Sequence, residues 1–266
     1  MTLQPSSTPL SHFTLASFDI FGTLIDWETG ICTNLLKSPY FTSLPSDHEL
    51  KSSRKALLEA HEAREKAVQS EQPDLVYSKL LAEVYRRLVA DYSLPAPSSG
   101  GDAADLESAA TTYGNSVGTW PAFPDTVAAM QTLGKYYKLV PLSNVDRESF
   151  SKTLSGPLKG VEFTAIYTAQ DVGSYKPDPR NFEYLMKHCK EDLGTEKGKI
   201  LHVAQSLFHD HVPAAKVGLE NVWVDREGVM GEVSEEIKRK ATLGWKVATL
   251  GELAEMAEKS FREQKS

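Results

Sequence analysis

Cysteine is scarce in this chain: only Cys32 and Cys189 occur in 266 residues, and neither has a neighbouring Cys or a metal-type spacing. A disulfide scaffold and a structural zinc site are therefore not expected, and both thiols are read as reduced, structural residues. Long apolar runs are missing too, since no stretch approaches the ~20 apolar residues of a membrane helix. Met1 to Ser11 lacks the basic-then-apolar pattern of a signal peptide. These absences lead to the expectation of a soluble, cytoplasmic protein without a membrane partner. Basic excess is absent as well: Lys and Arg number 29 against 36 Asp and Glu, a net charge of −7. No basic stripe with interleaved aromatics offsets that charge, so nucleic acid is not an expected partner. A small anionic substrate remains compatible with it, because Lys176 and Arg54 can make a pocket locally positive. No internal repeat is present.

What is present is enough apolar material, 41% of residues, for one large domain and a smaller one. Short apolar segments at 15–19, 137–143, 165–168, 200–204 and 222–224 read as strands. Helical patterns at 124–135, 147–155, 179–189 and 210–217 separate them, with Asp125 and Asp178 near two N-termini where negative charge suits the helix dipole. This β/α alternation indicates a doubly wound parallel sheet. From 29 to 114 the pattern changes. Leu50, Leu57 and Leu58, then Leu80, Leu81, Val84, Tyr85 and Leu88, recur at helical spacing and mark a helical insertion, broken at 94–102 by a Pro, Ser and Gly-rich loop.

Four polar positions interrupt the α/β pattern in order, each after a strand and before a helix. They are Asp19 in Phe18-Asp19-Ile20-Phe21-Gly22-Thr23, Ser143-Asn144, Lys176 before Pro177-Asp178, and Asp210 at the end of 200–210. Alone, Asp19 is also explained as a turn former, Ser143 and Asn144 as helix caps, and Asp210 as the N-cap of its helix. Together they line the carboxyl-end rim of an open α/β sheet, where ligands bind. An Asp at the end of a buried strand, with Gly22 freeing the backbone and Thr23 supplying a hydroxyl, is placed as a nucleophile. His209, Asp210 and His211 do not share a helix face, so no metal site is expected there. Trp27, Trp120 and Phe182 read as packing residues.

The segments Phe18-Asp19-Ile20-Phe21-Gly22-Thr23-Leu24-Ile25-Asp26, Tyr175-Lys176-Pro177-Asp178 and Gly244-Trp245-Lys246-Val247-Ala248-Thr249-Leu250 resemble the haloacid dehalogenase (HAD) superfamily, in its L-2-haloacid dehalogenase-like (type II) branch. The resemblance implies a Rossmann-like doubly wound parallel-sheet core over 12–28 and 115–255, with an inserted helical cap domain over 29–114. Superfamily phosphatases carry a second Asp two residues after the nucleophile, where this chain has Phe21.

The resemblance also implies roles. Asp19 attacks the halogen-bearing carbon of a small 2-haloacid to give an ester, Lys176 keeps Asp19 charged, and Asp210 activates the water that hydrolyses the ester. Thr23, Ser143 and Asn144 bind nucleophile or substrate carboxylate, Phe21 lines the site, and Arg54 from the cap assists the departing halide. No cofactor or metal is expected, the substrate is a small organic acid, and pairing of two copies through the cap or a sheet edge is compatible with the family. The chain departs from the dehalogenase pattern at Gln205 and Leu207, where the family has Ser and Asn, and at Phe182, where it has Tyr. Alternatives are a magnesium-dependent phosphatase of the same superfamily, or a repurposed scaffold acting on a non-halogenated substrate.

Overall fold

The computed structural model describes residues 6–97, 103–230 and 234–264, so residues 98–102 of the expected loop lie outside them. The chain divides into two compact units: Met1–Asp26 with Ala122–Asn144 and Leu158–Ser266, and Trp27–Pro121 with Val145–Pro157. No helix of the described residues is long and apolar enough to cross a membrane. Both cysteines are buried, and neither takes part in a disulfide.

The first unit is a Rossmann-like α/β fold built on six parallel strands: β1 Leu15–Phe18, β2 Lys138–Ser143, β3 Tyr167–Thr168, β4 Ile200–Ala204, β5 Glu220–Val224 and β6 Trp245–Val247. Their spatial order is β3-β2-β1-β4-β5-β6. The direction of winding therefore reverses between β1 and β4, which opens a crevice beyond the carboxyl ends of those two strands. Every residue of β1 and β4 is buried, which fits the continuous apolar runs of a sheet covered on both faces. Ser17 and His202 are the polar members of those runs, and they stand opposite each other in the register. Helix Arg180–Glu191 lays Phe182, Leu185 and Cys189 on Leu15, Val140, Leu142 and Ile200, forming the core on one face.

The five expected strands are present, and β6 is an addition within the closing segment 244–250. The expected helix at 210–217 is replaced by a π-helical turn, Leu207–His211, followed by Val212–Val217. The side chain of Ser206, not Asp210, caps the turn by accepting from the His209 N–H.

The second unit contains the expected insertion 29–114, begins at Trp27, extends to Pro121 and takes in helix Arg147–Ser155. That helix belongs here because Gly118 lets the 3-10 turn Ser116–Thr119 approach it closely. A Cβ on Gly118 would meet the Ser149 carbonyl oxygen at 2.8 Å. Asp146, which caps the helix, also accepts the Ser78 N–H at 3.3 Å. Among long helices, Arg54–Glu71 and Tyr77–Asp91 bury the predicted stripe Leu57, Leu58, Leu80, Leu81, Val84, Tyr85 and Leu88. Trp120 is buried here, and Phe182 in the first unit.

Between these helices lies a titratable cluster. His61 Nε2 is 2.7 Å from the Tyr113 hydroxyl, and Tyr77 donates to Glu65 Oε1 at 2.8 Å. Burial pushes the Glu65 carboxyl from its ordinary 4.5 up to about 7. A carboxyl whose folded-state pKa is raised adds stability that is fully present below about 4.5 and is lost as pH rises through about 7. Glu65→Gln keeps an acceptor for Tyr77 and removes this titration. Melting temperatures of the two proteins should converge near pH 4, and the variant should melt a few degrees higher near pH 8. Parallel pH profiles would refute the assignment.

Candidate active site

The chain leaves β1 at Phe18, and the Asp19 N–H still donates to Val203 of β4 at 3.0 Å. A tight turn follows. Gly22, at φ 88°, donates its N–H to the Ile25 carbonyl at 2.8 Å, a conformation that a side chain at this position would oppose. The turn aims Thr23 inward, where Oγ1 donates to Asp19 Oδ2 at 2.8 Å and accepts the Gln205 N–H at 2.9 Å. From beyond β5, Arg226 Nε donates to the Thr23 carbonyl at 2.9 Å. The Arg226 guanidinium pairs through both terminal nitrogens with Asp125, at 3.0 and 3.3 Å, and lies 3.9 Å from the Phe123 ring centroid. Asp125 also accepts the Leu250 N–H at 2.8 Å, at the start of helix Leu250–Glu263. The turn that carries Thr23 is thus fixed from two sides.

Lys176 closes the site. Only 2% exposed, its ammonium donates to Asp19 Oδ1 at 2.7 Å, Asp210 Oδ1 at 2.7 Å and the Leu142 carbonyl at 2.8 Å. Those three bonds use all the donors an ammonium has. Its backbone is pinned by Asn144, whose Oδ1 accepts the Lys176 N–H at 2.7 Å and whose Nδ2 donates to the Lys176 carbonyl at 3.0 Å. Asp210, with no exposed surface, also has Oδ1 3.0 Å from His202 Nε2. Its Oδ2 has no hydrogen-bond partner among the described residues, and neither does the buried Ser143 Oγ at the end of β2.

Burial opposes charge on all three groups, and their mutual contacts decide the outcome. Burial and the nearby Asp210 charge raise the Asp19 carboxyl above its ordinary value, against the pull of Lys176 and Thr23. For Asp210, burial is outweighed by Lys176 and His202, which hold it below the usual carboxylate range. The two carboxylates likewise outweigh burial at Lys176 and push its ammonium up. The lysine is therefore charged at neutral pH.

The structure joins Asp19, Thr23, Asn144, Lys176 and Asp210 in one hydrogen-bonded network, with Ser143 on β2, the strand next to β1. Phe21, half-buried, belongs to the turn. Arg54 lies in the second unit, half-exposed, with its guanidinium 3.2 Å from Glu28 Oε2. The capping readings of Ser143 and Asn144 do not hold, because Asp146 caps the following helix. His211 is tied to the Ala204 carbonyl at 2.8 Å, and among the described residues no three His, Cys, Asp or Glu side chains cluster as metal ligands. Sequence reasoning passed over Ser17, His202 and Arg226. A histidine inside the apolar run Ile200–Ala204 was the available signal for one of them.

No curated protein sequence matches this chain. Solved structures similar over nearly the whole chain include a defluorinating L-2-haloacid dehalogenase, at TM-score 0.73 and 19% identity over 96% of this chain and 99% of the other. The L-2-haloacid dehalogenase from Xanthobacter autotrophicus superposes at TM-score 0.66 and 15% identity, over 92% and 98%. The magnesium-bound putative HAD-hydrolase YfnB from Bacillus subtilis does so at 0.67 and 16%, over 92% and 99%. At these identities the likeness establishes the fold. The model of the haloacid dehalogenase-like hydrolases matches residues 13–206, which hold Asp19, Ser143, Asn144 and Lys176, and this chain belongs to that family.

Proposed function

We propose that this chain is a metal-independent hydrolase of the dehalogenase type, in which Asp19 displaces halide from a small 2-haloacid and water hydrolyses the resulting ester. The observation that carries this reading is the pairing of a lysine-bound carboxylate with an aromatic residue at Phe21. Lys176 and Thr23 each donate to one Asp19 oxygen, at 2.7 and 2.8 Å, fixing the plane of the carboxylate for attack. A departing halide needs no proton, whereas the alkoxide leaving a phosphate ester does, and Phe21 has none to give.

The donor set does not suit a divalent cation. Magnesium takes about six oxygens in strict octahedral geometry. Here Asp19 and Asp210 each commit one oxygen to Lys176, and Gln205 adds no carboxylate. A cation at these carboxylates would also stand beside a buried ammonium.

The remaining side chains take parts that their contacts suggest. Thr23 is used on both sides, by Asp19 and by the Gln205 N–H, so it orients the nucleophile and does not hold substrate. Asn144 sets the Lys176 backbone. Ser143 Oγ, buried with no partner among the described residues, is the hydroxyl left for the substrate carboxylate. Asp210 is the base for water. Residues 29–114 are assigned as the family's cap, and Arg54 as the cation for the halide, both on the resemblance. The Xanthobacter autotrophicus enzyme has also been solved with chloropropionic acid covalently bound, which supports an ester route in this fold.

Asp19→Asn should reduce chloride release from L-2-chloropropionate by a factor on the order of 10⁴, because the amide is isosteric but not nucleophilic. Its circular dichroism spectrum should match that of the parent. A folded variant with parental activity would rule out Asp19 as nucleophile. In oxygen-18 water with enzyme in excess, the first turnover should give unlabelled hydroxy acid and put the label in the peptide containing Asp19. Labelled product with an unlabelled peptide would mean that water attacks substrate directly.

Activity should survive exhaustive chelation by EDTA and be unchanged by added magnesium. Loss on chelation with recovery on magnesium, together with turnover of phosphate esters, would transfer the site to phosphoryl chemistry.

A further inference from the structure

His202 lies in β4 with no exposed surface, and both ring nitrogens are engaged. Nε2 is 3.0 Å from Asp210 Oδ1, and Nδ1 is 2.7 Å from the hydroxyl of Ser17, its register partner on β1. An ionised carboxylate can only accept, so Nε2 carries a proton, and in the neutral ring Nδ1 then accepts from Ser17. Phe182 stands edge-on to the imidazole at 5.1 Å between centroids, fixing the ring plane. Asp210 Oδ1 therefore receives two donors, Lys176 and His202, while the buried Oδ2 receives none among the described residues.

We propose that the Ser17–His202 pair is the positioning device of the ester-hydrolysis step: it anchors Asp210 through Oδ1 and leaves Oδ2 as the oxygen that takes the proton of the attacking water. The proposal rests on the reading of Asp19 as the nucleophile. In that step the water oxygen bonds to Cγ of the Asp19 ester and its proton passes to Asp210 Oδ2. The bond from Cγ to the substrate oxygen then breaks, and the alkoxide leaves with the proton from Oδ2. The Asp19 carboxyl loses its own proton to solvent and is ready again. Ester formation itself uses no base, since the nucleophile is already an anion and halide leaves as one. Damage to His202 should therefore fall on the second half of the cycle alone, which a general weakening of the fold would not reproduce.

The test follows both halves with L-2-chloropropionate. In His202→Leu, first-turnover chloride release should stay within about twofold of the parent, while steady-state turnover falls at least ~10-fold, the lower range for loss of acid–base assistance. Acid-quenched enzyme should then carry the ester on the Asp19 peptide. His202→Gln, whose terminal amide can donate from the position of Nε2, should recover most of the hydrolysis rate. Ser17→Ala, the smallest change, should fall between the two. Equal slowing of both halves, or no ester on the quenched Leu variant, would overturn the proposal. A parent enzyme that turns over without ever labelling Asp19 would instead overturn the nucleophile assignment beneath it. Independently of turnover, nitrogen-15 histidine spectra of the resting protein should show His202 protonated at Nε2 and bare at Nδ1. The reverse tautomer would also overturn the proposal.

Discussion

The first unit is organised around a buried ammonium held by two carboxylates. Removing an ammonium from water costs several kcal/mol after relaxation, and that cost is offset only when all its donors are satisfied. Lys176 meets the condition with Asp19, Asp210 and the Leu142 carbonyl, contributed by three different strand ends. Two carboxylates on one ammonium leave an excess negative charge, which the Thr23 hydroxyl and the His202 ring moderate from either side. On the proposed route, conversion of Asp19 into a neutral ester removes that excess and leaves Lys176 paired with Asp210 alone. The covalent state of that proposal is thus electrostatically better balanced than the resting one, which would favour its first chemical step.

This arrangement depends on the strand order. Because winding reverses between β1 and β4, the chain turns after these two strands diverge, and the turns bring Asp19 and Asp210 to a common lysine. Parallel pairing also puts Ser17 directly opposite His202, so the support for Asp210 is part of the sheet. Arg226 does the same for the Thr23 turn, spanning from the end of β5 to Asp125 and Phe123. The side chains to which the proposal gives the chemistry sit on turns, and Ser17, His202 and Arg226, which brace them, sit on strands or just beyond.

What was legible in the sequence follows from this division. Asp19, Lys176 and Asp210 are polar residues that interrupt apolar runs just before turns, and local pattern exposes them. The stripe from Leu80 to Leu88 was legible because helical periodicity survives without tertiary context. Ser17 and Arg226 were not, because their importance comes from partners far away in sequence, whereas His202 left a signal as a histidine inside an apolar run. The helix Arg147–Ser155 was read at its observed bounds, yet its membership of the second unit depends on the close approach at Gly118, which no periodicity encodes. The departures from the dehalogenase pattern gain a physical sense as well. Gln205 serves the nucleophile's turn through its backbone N–H, and Phe182, in place of Tyr, packs its ring edge-on to His202.

A base held below the usual carboxylate range by Lys176 and His202 is a weak base, and on the proposed route ester formation tightens the grip of Lys176 on it. Base strength therefore cannot carry the hydrolysis alone. The ester keeps both donors that held the carboxylate: whichever Asp19 oxygen remains the carbonyl faces either the Lys176 ammonium or the Thr23 hydroxyl. Negative charge that develops on that oxygen as water adds is met by a donor already in place, at no cost of reorganisation. The site thereby divides the work of the second step. Stabilisation of the tetrahedral oxyanion falls to the groups that earlier oriented the nucleophile, and Asp210 needs only to be correctly aimed to receive a proton that the polarised ester makes easier to release.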